Sequence, residues 1–396
     1  MKIGAGALSL RPAAANSAAA AATSGQQGRV IAYWLLCCCG MIFVMVAIGG
    51  ITRLTRSGLS ITEWQPVSGI LPPLSAAGWA AEFEKYQQIA QYRLLNYGMS
   101  LAEFKTIYLW EYLHRLWGRL IGVAYALPFI YLLLRRQMPR RLVVPLSGIF
   151  LLGFAQGALG WYMVKSGLAD RVSVSQYRLV AHLVLALAIY AATLWIALGF
   201  FERNFPGCPA QHPHPNPPPL AGEGTKQAAP ENPPPRAGEG RVGVAGGWRR
   251  AAEAILILVA LTIVAGGFVA GMNAGHTYNN FPLMDGRVVP AGYAQLQPFI
   301  LNWFENVAAV QFNHRLLALT LCIAVLLLWL AGWRAALPRS AAYALHALLA
   351  AAMLQFALGV ATLVLVVPVA LGVAHQVGAV VLLSAAIVLR HSLRRP

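Results

Sequence analysis

One stretch of this 396-residue chain decides its fold: Glu111-Tyr112-Leu113-His114-Arg115-Leu116-Trp117-Gly118-Arg119, at the head of an apolar run that reaches Leu134. A run of this length can cross a hydrocarbon core about 30 Å thick as a helix. The stretch places a carboxylate, an imidazole and two guanidiniums where that helix enters lipid. A shorter copy, His314-Arg315-Leu316, begins another apolar run. The apolar runs and the copy together indicate the architecture.

The composition excludes an ordinary soluble protein, because 58% of the residues are hydrophobic and only 11% are charged. We therefore predict an all-α membrane protein. Apolar runs long enough to span a membrane occur eight times, at about Val30–Ile51, Glu111–Leu134, Leu142–Val164, Tyr177–Phe201, Ala251–Gly271, Val310–Trp333, Ala341–Val364 and Gly372–Leu389.

The net charge of +17 does not indicate a nucleic-acid partner, because the basic residues cluster after the even-numbered runs. The excess of Lys and Arg in short cytoplasmic loops places both termini in the cytoplasm. We therefore expect no nucleic acid and a multi-pass protein whose even-numbered spans begin outside. The residues that mark the cytoplasmic side are Arg135, Arg136, Arg140, Arg141, Arg334, Arg339, Arg390, Arg394 and Arg395.

The chain divides into four segments by composition. Residues 1–29 are rich in Ala, Ser and Gly and are predicted to be a disordered tail. Residues 30–201 and 251–396 each hold four apolar runs. Residues 202–250 contain two near-identical Pro- and Gly-rich nonamers and are predicted to be a disordered cytoplasmic linker. The long external loop 52–110 contains an amphipathic helix within Ser75–Leu95, which could be an interfacial anchor or a lid over a pocket.

The runs on either side of the linker repeat in the same order. Such a repeat predicts eight transmembrane helices arranged as two tandem, pseudo-symmetric four-helix bundles. Four pairs of matching segments support it: Gly49-Gly50 with Gly266-Gly267, His114-Arg115-Leu116 with His314-Arg315-Leu316, Phe154-Ala155-Gln156-Gly157 with Phe356-Ala357-Leu358-Gly359, and Val180-Ala181-His182 with Val373-Ala374-His375.

The repeat selects four histidines, which lie near the outer ends of the even-numbered spans. A lone histidine in an apolar helix is more often a hydrogen-bonded core residue, about three times in four. Here each half supplies two histidines on different helices, as bis-imidazole ligation of a haem iron requires. Zinc is a weaker interpretation, because the pairs lack the further Cys, Asp or His that zinc recruits. The candidate ligands are His114 and His182 in the first half and His314 and His375 in the second.

The two halves differ where chemistry is expected. Glu111 and Arg119 correspond to Gln311 and Leu319, so only the first half has these ionisable groups. Glu111 shares a helical face with His114 and could reach a ligand bound there, or it could simply pair with Arg115 four residues on. Arg119 lies about 12 Å into its span and is expected to have a partner.

The two arginines that follow the first histidine of each half, Arg115 and Arg315, are suited to haem propionates. A guanidinium offers a fork of charge-assisted donors that matches a carboxylate. Arg115 is also the i+4 partner of Glu111, so the two interpretations of Glu111 involve the same arginine.

These residues make the chain resemble the heme A synthases, membrane enzymes that oxidise a ring methyl of haem O to the formyl group of haem A for terminal oxidases. The resemblance covers about Val30–Phe201 and Ala251–Leu389. Loop one lacks the cysteine pair of some bacterial members, so the chain is similar to the cysteine-lacking branch shared by proteobacteria and mitochondria. The other matching motifs are Gly49-Gly-Ile-Thr-Arg-Leu-Thr-Arg-Ser-Gly-Leu-Ser-Ile-Thr-Glu-Trp64, Gly266-Gly-Phe-Val-Ala-Gly-Met-Asn-Ala-Gly275, Tyr278-Asn-Asn-Phe-Pro282 and Leu371-Gly-Val-Ala-His-Gln376.

The resemblance implies roles for the candidate residues. His314 and His375 would ligate a resident haem b, and His114 and His182 would hold the iron of the substrate haem. Glu111 would be the catalytically important carboxylate in successive hydroxylations that give an alcohol and then a hydrated aldehyde. We expect haem O to be delivered by a haem O synthase and electrons to be exchanged with an unidentified acceptor or donor. We also expect a link to terminal oxidase assembly and possible homo-oligomers.

Two other functions fit the same residues. One is a di-haem b membrane cytochrome that oxidises quinol, and the other is a haem-binding assembly factor that releases haem unchanged. We expect the bacterial inner membrane as the location, with the mitochondrial inner membrane as the alternative.

Overall fold

The computed structural model describes residues 11–63, 68–170, 174–201 and 239–394. In these parts of the chain, eight helices are long and apolar enough to cross a membrane, which confirms the eight predicted spans. The only β pairing among them is an isolated bridge between Met284 and Arg287. The spanning helices are α1 (Arg11–Leu54), α4 (Leu101–Leu134), α5 (Arg140–Asp170), α6 (Gln176–Phe201), α7 (Glu239–Gly271), α9 (Val307–Trp333), α10 (Arg339–Val364) and α11 (Val369–Ser392). Three shorter helices lie between them: α2 (Ala76–Gln87), α3 (Ala90–Leu95) and α8 (Asn302–Glu305).

Two segment boundaries differ from the sequence prediction. Helix α1 begins at Arg11, so most of the tail predicted to be disordered over residues 1–29 is helical. Alanine has the highest helix propensity, and this segment is rich in it. Helix α7 begins at Glu239 and so includes the end of the predicted linker 202–250, whereas residues 202–238 lie outside the described part of the chain.

The helix contacts repeat in the two halves. In the first half α1 packs against α4 and α6, and in the second half α7 packs against α9 and α11. Between the halves, α1 contacts α11, α7 contacts α6, and α6 contacts α11. These matching contacts support the two-bundle arrangement. The core that they form includes the fully buried side chains of Leu35, Leu146, Val259, Val325 and Leu348.

Loop one folds back onto the N-terminal end of α4. Ser75 caps α2, and Ser100 with Glu103 forms a capping box at the start of α4. The aromatic side of α2 faces protein: Tyr86 is fully buried, and its ring centroid lies 5.1 Å from that of Phe104 on α4. Aromatic pairs of this kind add about 0.5–1.5 kcal/mol beyond their buried area. Burial also raises the pKa of the Tyr86 hydroxyl. Helix α2 therefore packs against the first turns of α4.

Candidate functional site

The two histidines of the second half face each other across the bundle. The ring centroids of His314 on α9 and His375 on α11 are 6.4 Å apart, and the ring planes cross at 80°. Two imidazoles bound to one metal through bonds of about 2 Å each have centroids roughly 6–6.5 Å apart. The spacing therefore fits one iron held between two imidazole nitrogens.

Polar contacts from neighbouring helices hold both histidines of this pair. His314 Nδ1 lies 3.2 Å from the carbonyl oxygen of Thr262 on α7, which leaves Nε2 as the nitrogen that could bind a metal. Metal-bound histidines usually donate their second ring N–H in this way, which fixes the ring orientation. The backbone carbonyl of His375 accepts a hydrogen bond of 2.9 Å from Gln355 Nε2 on α10.

Each of the four candidate histidines is seated against a glycine of the preceding span. A Cβ added at any of these glycines would lie only 2.9–3.1 Å from the imidazole Cε1, closer than packed atoms normally approach. A larger residue would therefore push the ring out of place. The four glycine–histidine pairs are Gly49 with His114, Gly160 with His182, Gly266 with His314 and Gly359 with His375.

The first half repeats the glutamine contact. Gln156 Nε2 on α5 donates 3.0 Å to the carbonyl of His182 and lies 3.2 Å from its ring Nε2. Gln156 thus corresponds to Gln355, and Gly160 corresponds to Gly359. The sequence matching of Gly157 with Gly359 is therefore wrong by one helical turn. The shared motif is Gln156-Gly-Ala-Leu-Gly160 and Gln355-Phe-Ala-Leu-Gly359.

Several buried nitrogen atoms at the site have no hydrogen-bond partner within the described residues. They are the Nδ1 atoms of His114, His182 and His375. Buried polar atoms without partners are uncommon in folded proteins, and such groups often mark a place where a further ligand or water binds. The fit to a porphyrin iron itself rests on the 6.4 Å spacing in the second half and on the glycine contacts that both halves share.

Glu111 is buried, with only 3% of its surface exposed, and it accepts hydrogen bonds from three groups. Its Oε2 accepts from Ser60 Oγ at 2.8 Å and from the Ile61 amide at 2.9 Å, and its Oε1 contacts Arg115 at 2.5 Å. Arg115 also donates to the carbonyls of Ile61 and Glu63. The predicted Glu111–Arg115 pair is present, and both residues hold the segment of loop one that follows α1.

The second half has the same arrangement with inverted polarity. Gln311 Nε2 donates to the carbonyls of Ala274 and Thr277 at 2.8 and 2.7 Å, while its oxygen accepts from Arg315 at 3.1 Å. Arg315 donates to the carbonyl of Asn280 at 2.9 Å. Position 311 therefore meets carbonyl acceptors, whereas Glu111 meets hydrogen-bond donors.

Arg115 lines two cavities of the first half. One cavity, of about 240 Å³, also involves Trp161 and Lys165, and the other, of about 190 Å³, also involves Tyr112 and Arg119. The two arginines share the second cavity, so a carboxylate there would meet two guanidiniums. Glu63 and Glu82 also line this second cavity, where both form ion pairs with Lys85 and raise the pKa of the Lys85 amine.

The other histidines of the described residues have ordinary surroundings. His346 is exposed and its Nδ1 lies 2.9 Å from Trp329 Nε1. His391 is buried, with its ring 5.0 Å from that of Trp195, and His276 is exposed at the end of a short 3-10 helix, Ala274–His276. None of these three histidines contacts any of the four glycines that pack against the candidate histidines.

Comparison with known proteins places this set of residues in a family. A family model described as COX15-CtaA, cytochrome oxidase assembly protein, matches residues 32–387. The chain belongs to the COX15-CtaA family. Among similar COX15-CtaA relatives, Heme A synthase of Nitrosospira multiformis is 48% identical over 355 residues, covering 90% of this chain and 91% of that protein. Heme A synthase of Rhodospirillum centenum is 48% identical, covering 90% and 86% of the two chains.

Sequence reasoning missed several members of this COX15-CtaA site. Ser60 and the two glutamines, Gln156 and Gln355, are polar residues that contact Glu111 or a candidate ligand. The repeated Gln-x-Ala-Leu-Gly motif was the signal that could have found the glutamines, had the spans been aligned one turn further on. Ser60 had no such signal, because its contact depends on how loop one folds back.

Proposed function

We propose that this chain is a haem A synthase, which oxidises a ring methyl of haem O to the formyl group of haem A. The observation that carries the proposal is the asymmetry between two otherwise matching histidine pairs. One half places a buried, hydrogen-bonded carboxylate, Glu111, three residues from His114, and the other half has Gln311 at that place. Relatives that cover nine-tenths of the chain carry the name Heme A synthase, which supports the substrate.

His314 and His375 would hold a resident haem b, and His114 and His182 would hold the iron of the substrate haem. When bound, the haem groups supply the redox chemistry of the reaction. The 6.4 Å ring spacing and the Thr262 contact support the assignment of the second-half pair. The matching glycine seats and glutamine contacts extend it to the first half.

Glu111 would act on the substrate through its carboxylate. Arg115, Ser60 and the Ile61 amide fix both of its oxygens, so the group is held in one orientation. In that orientation it accepts a proton or balances positive charge that develops as the methyl is oxidised. Arg115 and Arg119 would bind substrate propionates at the second cavity, and Arg315 would do so for the resident haem.

The multi-pass chain would lie in a bacterial inner membrane with both termini in the cytoplasm. The basic residues after the even-numbered spans and the bacterial relatives support this placement. All four histidines then lie towards the outer surface. Haem O would come from a haem O synthase, electrons would pass to an acceptor outside the chain, and the product would serve terminal oxidase assembly.

Pigment extraction tests this function. The chain is expressed in a host that makes haem O but lacks its own haem A synthase, and the extracted haems are separated by chromatography. Haem A or its alcohol precursor should appear only when the chain is present. Haem b alone with quinol-dependent reduction would identify a di-haem cytochrome instead, and haem O that is bound and released unchanged would identify an assembly factor.

A further inference from the structure

The glycine pairs at the ends of α1 and α7 each make two different contacts. The first glycine of each pair, Gly49 or Gly266, seats the histidine of its own half. The second glycine contacts the last helix of the other half: Gly50 faces α11, and Gly267 faces α6. Small residues let helix backbones approach closely in lipid, so these pairs bring the two halves into contact beside the histidine sites.

On the α6–α7 side this contact is apolar. A Cβ at Gly267 would lie 3.0 Å from Val180 and 3.6 Å from Leu183, the residue that follows His182. On the α1–α11 side it is polar. The residue that follows His375 is Gln376, whose Nε2 donates to the carbonyl of Val46 at 3.1 Å.

The amide of Gln376 also fills the space that Gly50 leaves open. A Cβ at Gly50 would lie 2.9 Å from Gln376 Oε1. The adjacent residue, Gly49, would place a Cβ 3.1 Å from Cε1 of His114. One turn of α1, from Val46 to Gly50, therefore touches Gln376 from the second half and His114 from the first.

We propose that Gln376 is a positioning residue for the His114 site, although it stands on the helix that carries His375. Its hydrogen bond to Val46 and its contact with Gly50 fix the turn of α1 on which the His114 imidazole rests. The hydrogen bond from Gln376 to Val46 is directional, so it fixes the position of this turn of α1. The apolar contact between Leu183 and Gly267 fixes the matching turn of α7 less closely. The inference rests on the proposed function insofar as His114 binds substrate haem.

A different residue holds the backbone of His375. Gln355 donates to the His375 carbonyl, whereas the side-chain amide of Gln376 is directed at α1. Successive residues on a helix point about 100° apart, so Gln376 does not share the face of the His375 ring. A substitution at Gln376 should therefore act on the neighbouring half.

The test replaces Gln376 with Leu. The first half has a leucine, Leu183, at the equivalent place, and that leucine packs against Gly267. Gln376→Met serves as a second variant of similar length without the amide, in case Gln376→Leu does not accumulate. The two haem signals are separated by making each change in a His314→Ala background, which retains the first-half site, and in a His114→Ala background, which retains the second-half site.

We expect both variants to retain haem in both backgrounds. The midpoint potential and the electron paramagnetic resonance signal should shift in the His314→Ala background and stay unchanged in the His114→Ala background. In the otherwise intact chain, haem A formation should fall roughly 2- to 30-fold, the range that coupling between distant residues produces. Leu183→Met is the matched control at the apolar contact, and it should leave the His114 site signal unchanged.

A shift confined to the His114→Ala background, or no shift in either background, would overturn the proposal. Failure of the proposed function gives a different pattern. If neither histidine substitution alters the haem content of the purified protein, the histidine pairs are not haem ligands.

Discussion

Glu111 and Gln311 occupy equivalent places, yet they present opposite hydrogen-bonding groups to the segment above them. The first half offers donors to position 111, from Ser60 and Ile61, and the second half offers carbonyls to position 311. A glutamine at position 111 could turn its oxygen to those donors only by turning its NH2 group to Arg115. The carboxylate is therefore the group that satisfies every neighbour in the first half.

We expect Glu111→Gln to lower haem A formation by about 10²- to 10⁴-fold, the usual contribution of a positioned acid or base. Ser60→Ala is the matched control, because it removes one donor to Glu111 but keeps the carboxylate. It should lower haem A formation by only about tenfold, because a hydrogen bond to a charged group contributes about 1.5–3 kcal/mol and the Ile61 amide, which still donates to Oε2, keeps the loss at the low end of that range. Haem A is measured by extraction. Equal losses in the two variants would show that Glu111 only holds loop one.

His314→Ala should remove the resident haem b, because it deletes one of two ligands that stand 6.4 Å apart. The haem content of the purified protein is measured from its absorption spectrum after conversion to the pyridine complex. His346→Ala is the control, since this exposed histidine contacts Trp329 and lies away from the site. A full haem b signal in His314→Ala would remove this pair from the ligand set.

At the scale of helices, the glycine seats set how closely neighbouring spans pack at the histidines. Helix α5 tests this point within one helix. Gly160 would place a Cβ 3.0 Å from His182 Cε1, whereas Gly157, one turn away, has nothing within 4 Å of that position. The two glycines therefore have different tolerance for the same substitution.

Gly160→Ala should weaken haem retention in the first half, because crowding a packed site typically costs about 1–3 kcal/mol. Gly157→Ala should leave haem retention unchanged. Both are measured as haem content per protein after detergent purification in the His314→Ala background, where only the first-half site is retained. The opposite ranking of the two variants would show that the sequence match of Gly157 with Gly359 was right after all.

The sequence predicted whole elements better than their register. All eight spans were predicted, because runs of apolar residues have no other stable place in a chain of this composition. The candidate ligands were also identified, since they recur in order. The register of α5 against α10 was wrong, because two Phe-Ala-x-Gly segments matched by chance one turn from the true motif. The contacts of Ser60 and Gln376 are long-range, and spacing along the chain does not encode them.

At the scale of the whole molecule, residues 202–238 connect two halves that pack directly against each other. The halves meet through α1 with α11 and α7 with α6, so their association does not depend on the connector. Residues 216–224 in the connector are nearly repeated by residues 232–240, which extend into the start of α7, so removing the first copy leaves the second in place.

Deleting residues 216–224 should therefore leave haem content and haem A formation within about twofold of the parent chain. Loop length changes cost little, about 0.6 kcal/mol for each doubling. The measurement is the same pigment extraction, with Gly160→Ala alongside as a variant that should lose haem. A tenfold loss in the deletion variant would show that the connector has a role in folding or function.

The crossed contacts of α1 with α11 and of α7 with α6 have a further consequence. In each contact, the first helix of one half meets the last helix of the other, which is how two identical four-helix subunits would join about a two-fold axis. Such an interface is isologous, because the same surface patch serves both partners. The helix contacts of this chain therefore follow the pattern of a symmetric dimer, although equivalent residues of the two halves differ. Glu111 is found only in the first half, where the second half has Gln311, and Gln376 is found only in the second half, where the first half has Leu183.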